Sequence, residues 1–248
     1  MTTQLSADRF DAVLFDLDGV LTDTAAVHAR AWKTMFDGFL RDWTRRHGQS
    51  FSPFTSDDYR AYVDGKPRED GVRSFLRSRG IQVPEGDRGD PPDMETVHGL
   101  GNRKNDLVDR LLDDEGVVRY EGSVRLIKQL RDQGIKLGVV SSSGNCAAVL
   151  EAAGMGDLFD ARVDGVVAAE RGLPGKPAPD PFLAAAADLG ATPARTVVVE
   201  DAISGVRAGR AGGFGLVIGV DRAGDPDMLR GNGADLVVSD LGELRVVR

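Results

Sequence analysis

Three short apolar runs, each stopping at residues with reactive oxygen atoms, constrain the fold of this chain more than any other feature. Phe10 to Phe15 (FDAVLF) ends at Asp16, Ile135 to Val140 (IKLGVV) ends at Ser141-Ser142-Ser143, and Thr196 to Val199 (TVVV) ends at Glu200-Asp201. A short apolar run bounded by turn residues reads as a strand buried on both faces, the pattern of a parallel sheet. Phe214 to Val220 and Ala234 to Val238 supply two further strands of the same kind. The helical patterns Gly122 to Gln133, Asn145 to Ala153, Pro181 to Leu189 and Ala202 to Ala211 lie between them. Alternating strand and helix predicts an α/β fold, a doubly wound parallel sheet of Rossmann-like form.

Between the first and second runs lie some 110 residues with no strand pattern, far more than an ordinary connection needs, so they read as an inserted helical domain. Ala25 to Arg46 is a long helix expected to be capped by Thr24. Arg68 to Arg79 opens with Pro67 at its first position, and Met94 to Asp114 is a third helix. Pro84 to Asp93 (PEGDRGDPPD) is too polar and rich in proline to be anything but a surface loop. Its Arg88-Gly89-Asp90 matches an adhesion tripeptide that chance explains. The expected division is a core of residues 1–23 and 121–248 around a cap of residues 24–120.

Composition narrows the chemistry. At 248 residues and 41% hydrophobic content the chain can bury a sizeable core. Its 39 acidic and 31 basic residues are dispersed, without the basic run that nucleic acid or an anionic membrane would require. No apolar stretch approaches the roughly 20 residues of a membrane span, and Met1 to Arg9 lacks the pattern of a signal peptide. The reading is a cytoplasmic monomer acting on a small molecule. One cysteine, Cys146, and three histidines, His28, His47 and His98, exclude an internal disulfide and disfavour a zinc site. Any metal should be held by oxygen.

In open α/β sheets ligands sit at the carboxyl ends of the strands, so the residues after each apolar run face one crevice. Asp16, Asp18, Ser141, Lys176, Glu200 and Asp201 are thereby expected to converge as nucleophile, acid/base, hydroxyl, cation and a pair of metal-binding carboxylates. Asp16 and Asp18 lie two apart, on one side of an extended segment. A turn after Asp16 can bring Asp18 over the reacting oxygen while its own carbonyl faces the metal. A calcium-binding EF-hand loop is the competing reading of this segment, and it fails because Val20 and Leu21 stand where an acid and a glycine are required.

The segment DLDGVLTDT, Asp16 to Thr24, resembles the nucleophile motif of the haloacid dehalogenase superfamily. That resemblance implies that Asp16 attacks phosphorus to form an aspartyl phosphate, and that Asp18 protonates the leaving group and deprotonates the incoming one. Dehalogenases proper lack the second Asp, so Asp18 implies phosphoryl transfer. The remaining motifs match in order: Ser141 for the transferring phosphate, Lys176 in GKPAPD for charge neutralisation, and Glu200-Asp201 in VEDAISG, with Asp16 and Asp18, for Mg²⁺. Acids facing a phosphate need a metal and a lysine to offset the repulsion.

Within the superfamily, DTAAVHARAWK (Asp23 to Lys33), VDGKPRED (Val63 to Asp70) and NRKND (Asn102 to Asp106) resemble the β-phosphoglucomutase group. By that resemblance His28 orients Asp18, Arg68 binds the phosphate that is not transferred, and Lys104 contacts the sugar phosphate. Pro67 at a helix start also places Arg68 beside free backbone N–H groups, a ready anion site. In the loop after Ser141, where Ser142, Ser143 and Asn145 are phosphate-binding candidates, that group carries Lys or Arg at the position of Gly144. The implied reaction is interconversion of β-glucose 1-phosphate and glucose 6-phosphate through the bisphosphate. A sugar-phosphate phosphatase is the alternative, and a non-catalytic sugar-phosphate sensor the third reading.

Overall fold

The computed structural model describes residues 4–247. Residues 1–3 and 248, at the two ends of the expected core, lie outside the described residues. The chain divides into two units, one running up to Asp23 and resuming at Val117, the other comprising Thr24–Gly116. The return to the first unit thus falls four residues before the boundary expected from sequence.

The strands of the first unit are β1 (Gln4–Ser6), β2 (Ala12–Phe15), β3 (Lys136–Val140), β4 (Ala161–Val163), β5 (Thr196–Glu200), β6 (Leu216–Val220), β7 (Leu236–Val238) and β8 (Arg245–Val247). Six of them form a parallel sheet in the order β4-β3-β2-β5-β6-β7. The chain begins this sheet in the middle at β2, winds outward through β3 and β4, then crosses back to β5 on the other side. β2 therefore lies at the point where the winding reverses, where ligands bind in such sheets. All four residues of β2 are buried, because helices cover both faces of the sheet. Leu14 and Val198 pack with Phe182, Ala185 and Val206 on one face, and Phe15 meets Phe159 edge-on.

Three strands were not legible in the apolar pattern. β1 and β8 pair in a separate two-stranded parallel sheet, and β4 is an edge strand of three residues with only Val163 buried. The first apolar run also pairs only from Ala12. Phe10 closes a turn onto Ser6 instead, and Asp11 pairs through its own N–H with Arg195.

The second unit is helical, built on Ala25–His47, Arg68–Ser78 and Val97–Glu115, with Ser56–Asp58 leading into a π-helical turn at Tyr59–Val63. Phe36 is the centre of its core. The ring lies 5.2 Å from Trp32, 5.2 Å from Phe54 and 4.1 Å from Phe75. Thr24 occupies the position before the first helix, but its own backbone is helical and its side chain makes no cap hydrogen bond. The third helix starts at Val97, three residues later than expected, because Thr96 accepts from the Gly99 N–H and caps it there. Residues 84–93 contain no helix or strand. Truncating Phe36 removes the ring on which three others pack. Phe36→Ala is expected to destabilise the helical unit by about 3–5 kcal/mol, measured by denaturant unfolding. A loss below 1 kcal/mol would deny Phe36 its central place.

Candidate active site

The sheet ladder itself delivers the first reactive groups. The Asp16 N–H donates to the Val199 carbonyl at 2.9 Å, and the Ser141 N–H to Val163 at 3.1 Å. Each residue is thereby pinned as the last rung of its strand pair, with its side chain at the carboxyl edge. From the loop before the helix Asp180–Asp188, Lys176 reaches the same point. Its Nζ donates to Asp16 Oδ1 at 2.5 Å, to Glu200 Oε1 at 2.5 Å and to the Val140 carbonyl at 2.9 Å. The Phe182 ring closes the fourth side, 4.9 Å from Nζ. Lys176 is only 1% exposed.

Burial disfavours the charge on Lys176, but the fields of Asp16 and Glu200 outweigh it and hold the ammonium protonated, above the ordinary lysine range. For Asp16 the balance falls the other way. Burial raises its carboxyl well above the usual range against the pull of Lys176, and Glu200 and Asp18 add repulsion. Asp16, Glu200 and Asp201 bring ligand oxygens within 4.8 Å of one another, two of them bonded to Lys176. A hard divalent cation fits this donor set and this charge. Asp18 is expected to face the metal through its backbone carbonyl, and its carboxylate is not among these three. Glu200 is fully buried and accepts from Lys176 and from the N–H groups of Asp201 and Ala202.

Two glycines make this packing possible. A Cβ on Gly19, whose φ is +86°, would lie 1.8 Å from Asp201 Oδ2. A Cβ on Gly205 would lie 1.8 Å from Glu200 Oε1. Neither glycine stood out in the sequence beyond being part of a motif.

In the loop after β3, Ser141 Oγ accepts from the Ser143 N–H at 3.1 Å and Ser143 Oγ accepts from the Asn145 N–H at 3.2 Å. The hydroxyls and amides of this loop are therefore ordered one by the next. Ser142 is half-buried beside them. A side chain at Gly144 would meet only Val166, at 3.9 Å, so packing does not demand glycine there. Cys146 behind the loop is buried. Burial, then Asp164 and Asp18, push its thiol far above the usual range, which removes it as a nucleophile.

In the helical unit, Lys104 is buried rather than solvated. Its Nζ lies 2.8 Å from His28 Nδ1 and 5.2 Å from the Trp32 ring centre. An ammonium has no acceptor to offer, so the bond requires the lone pair of Nδ1 and leaves the proton of a neutral His28 on Nε2. Pro67 occupies the cap position, one residue before the helix Arg68–Ser78. Arg68 Nε donates to Glu69 at 2.8 Å. One nitrogen of the Arg68 guanidinium is thus paired with the carboxylate of the next residue.

A family model described as haloacid dehalogenase-like hydrolase matches residues 10–213. The chain belongs to that family. It is 52% identical over 241 residues, 96% of its length, to a Mycobacterium bovis protein named Beta-phosphoglucomutase, covering 92% of it. It is 31% identical to Hexitol phosphatase A of Escherichia coli, over 97% of this chain and 95% of that one. Among solved structures, a beta-phosphoglucomutase from Clostridium difficile superimposes with a TM-score of 0.74 at 25% identity, covering 95% of this chain and 93% of the other. Among the described residues no helix is long and apolar enough to cross a membrane.

Gly19 is the most exacting position in this site. Gly19→Ala is expected to fold with a loss of about 1–2 kcal/mol from the left-handed backbone. It should also weaken divalent-cation binding by at least about tenfold, because Asp201 must move away from Asp16. Calorimetric titration with Mg²⁺ measures this; unchanged affinity would show that Asp201 relaxes without consequence.

Proposed function

We propose that this chain is a Mg²⁺-dependent β-phosphoglucomutase, interconverting β-glucose 1-phosphate and glucose 6-phosphate through the 1,6-bisphosphate. The observation that carries the reading is the near full-length likeness to a beta-phosphoglucomutase, on a chain whose buried Lys176 joins Asp16 and Glu200. Cytoplasmic sugar-phosphate metabolism is the setting that follows from it.

In this reading phosphorylated Asp16 gives its phosphoryl group to the 6-hydroxyl of β-glucose 1-phosphate while Asp18 takes that hydroxyl's proton, which forms the 1,6-bisphosphate. The bisphosphate then turns. A carboxylate oxygen of Asp16 attacks the phosphorus on position 1, the bond from phosphorus to the sugar oxygen breaks, and Asp18 gives the proton to the departing oxygen, so glucose 6-phosphate leaves and Asp16 is phosphorylated again. Lys176 and the ordered N–H groups of residues 141–145 offset the charge of the transferring group. Asp16, Glu200, Asp201 and the Asp18 carbonyl would hold Mg²⁺, which supplies further charge neutralisation at the phosphoryl oxygens when bound. His28, with its proton on Nε2, serves as a hydrogen-bond donor in proton transfer. Lys104 contributes positive charge to sugar-phosphate recognition, and Arg68 binds the phosphate that is not transferred, exchanging Glu69 for it.

One observation favours hydrolysis as a second reading. Gly144 supplies no cation to the second phosphate although its surroundings would accept a longer side chain. A coupled assay separates the two: wild-type protein with β-glucose 1-phosphate and catalytic 1,6-bisphosphate should form glucose 6-phosphate faster than it releases phosphate. Arg68→Ala should lower kcat/KM for isomerisation by about ten- to a hundredfold, the equivalent of one charge-assisted contact. Hydrolysis of a small aryl phosphate, which has no second phosphate, should be nearly unchanged. Phosphate release without isomerisation would make the enzyme a phosphatase, and equal losses in both reactions would make Arg68 structural.

A further inference from the structure

The turn that follows Asp16 is anchored by residues far away in sequence. Gly19 donates its N–H to the Thr22 carbonyl at 2.7 Å, and Asp18 and Thr22 form an isolated bridge. The carbonyls of the turn are held from outside it. Ser123 Oγ donates to Val20 at 2.7 Å, Tyr120 N–H to Leu21 at 2.9 Å, and Arg222 Nε to Gly19 at 2.7 Å.

Arg222 has more contacts than a surface arginine needs. Its Nη1 donates to the Ser239 carbonyl at 3.0 Å, and its guanidinium carbon lies 3.7 Å from the centre of the Tyr120 ring. Nη2 is buried with no hydrogen-bond partner. A buried donor left unmatched costs folding free energy, so stability alone does not account for a guanidinium at this place. Tyr120 in turn donates its hydroxyl to Asp23 at 2.9 Å. Burial and that bond push the phenol up to about 12, so it stays a donor. Arg222 therefore ties the turn bearing Asp18 to Ser239 at the end of β7 and to Tyr120 beside the antiparallel bridge of Thr22 and Arg119.

We propose that Arg222 is a positioning residue for proton transfer: by holding the Gly19 carbonyl it fixes the Gly19–Val20 peptide, one residue beyond Asp18, and with it the turn that directs the Asp18 carboxyl. The inference rests on the proposed phosphoryl transfer through Asp16 and on the acid role of Asp18. Without the Arg222 bond the Gly19 carbonyl can swing while the Gly19 N–H and the Val20 carbonyl keep their partners, and glycine at a positive φ offers little resistance. The nucleophile is unaffected, because Asp16 is held by the sheet and by Lys176.

The consequence is a dependence on the leaving group. An activated aryl phosphate departs without a proton, whereas a sugar alkoxide requires one. For Arg222→Ala, phosphorylation of Asp16 by glucose 1,6-bisphosphate should slow at least about tenfold, while the rate with p-nitrophenyl phosphate stays within about threefold. Hydrogen exchange of the peptide spanning Gly19 to Thr22 should accelerate in the same variant. Arg222→Lys, which can still reach one carbonyl, should recover part of both effects, and it decides the matter by the same ratio if Arg222→Ala does not fold. Equal slowing with both donors, or unchanged rates and exchange, would reduce Arg222 to a structural residue while leaving the aspartyl-phosphate reading standing. No phosphorylation of the wild type by either donor would overturn both.

Discussion

The rest of this site depends on one buried ammonium. Lys176 stands between Asp16 and Glu200 with almost no access to water, and its third donor closes on the Val140 carbonyl at the end of the neighbouring strand. Removing one member of such a group leaves an uncompensated charge in the interior, which typically costs about 3–5 kcal/mol. The ammonium therefore holds three strand ends together. Asp16, Glu200 and Asp201 gather around it a donor set that a hard divalent cation fits.

Close approach is the second constraint. The carboxylates of Glu200 and Asp201 occupy space that a single methyl group on Gly205 or Gly19 would fill. The sheet supplies the rigidity to use that space. β2 lies where the winding reverses, the backbone of Asp16 is bonded to β5, and the loop after β3 orders its own hydroxyls and amides. Groups that react are thus held by groups that do not, and little reorganisation is needed when charge shifts.

The strand ends were legible in the sequence because a parallel sheet writes its central strands as continuous apolar runs, and Asp16, Ser141 and Glu200 follow such runs directly. The short strands β1, β4 and β8 were not, since each is three residues that include a polar or charged one (Gln4, Arg162, Arg245), whereas β7, equally short, is an unbroken Leu-Val-Val. Lys176 could be singled out by its motif, but its burial could not. Its position in a loop of Gly and Pro resembles a surface turn, and only the fold brings two carboxylates to it. Arg222 carried no signal: its partners are backbone carbonyls of Gly19 and Ser239, which every residue possesses. Thr24 shows the opposite error, a good capping residue whose backbone is itself helical and leaves no cap to make. For Lys104 the sequence offered a resemblance alone, and its burial against His28 and Trp32 shows only in the fold.

The account stands most directly on the covalent step at Asp16. Incubating the protein with Mg²⁺ and glucose 1,6-bisphosphate, quenching in acid and mapping the peptides by mass should find one phosphoryl group on the peptide carrying Asp16. It should be absent in excess chelator and absent from Asp16→Asn, a nearly isosteric change that removes the nucleophile and leaves the fold. A phosphoryl group on Ser141 or on a histidine, or retained labelling in Asp16→Asn, would contradict it.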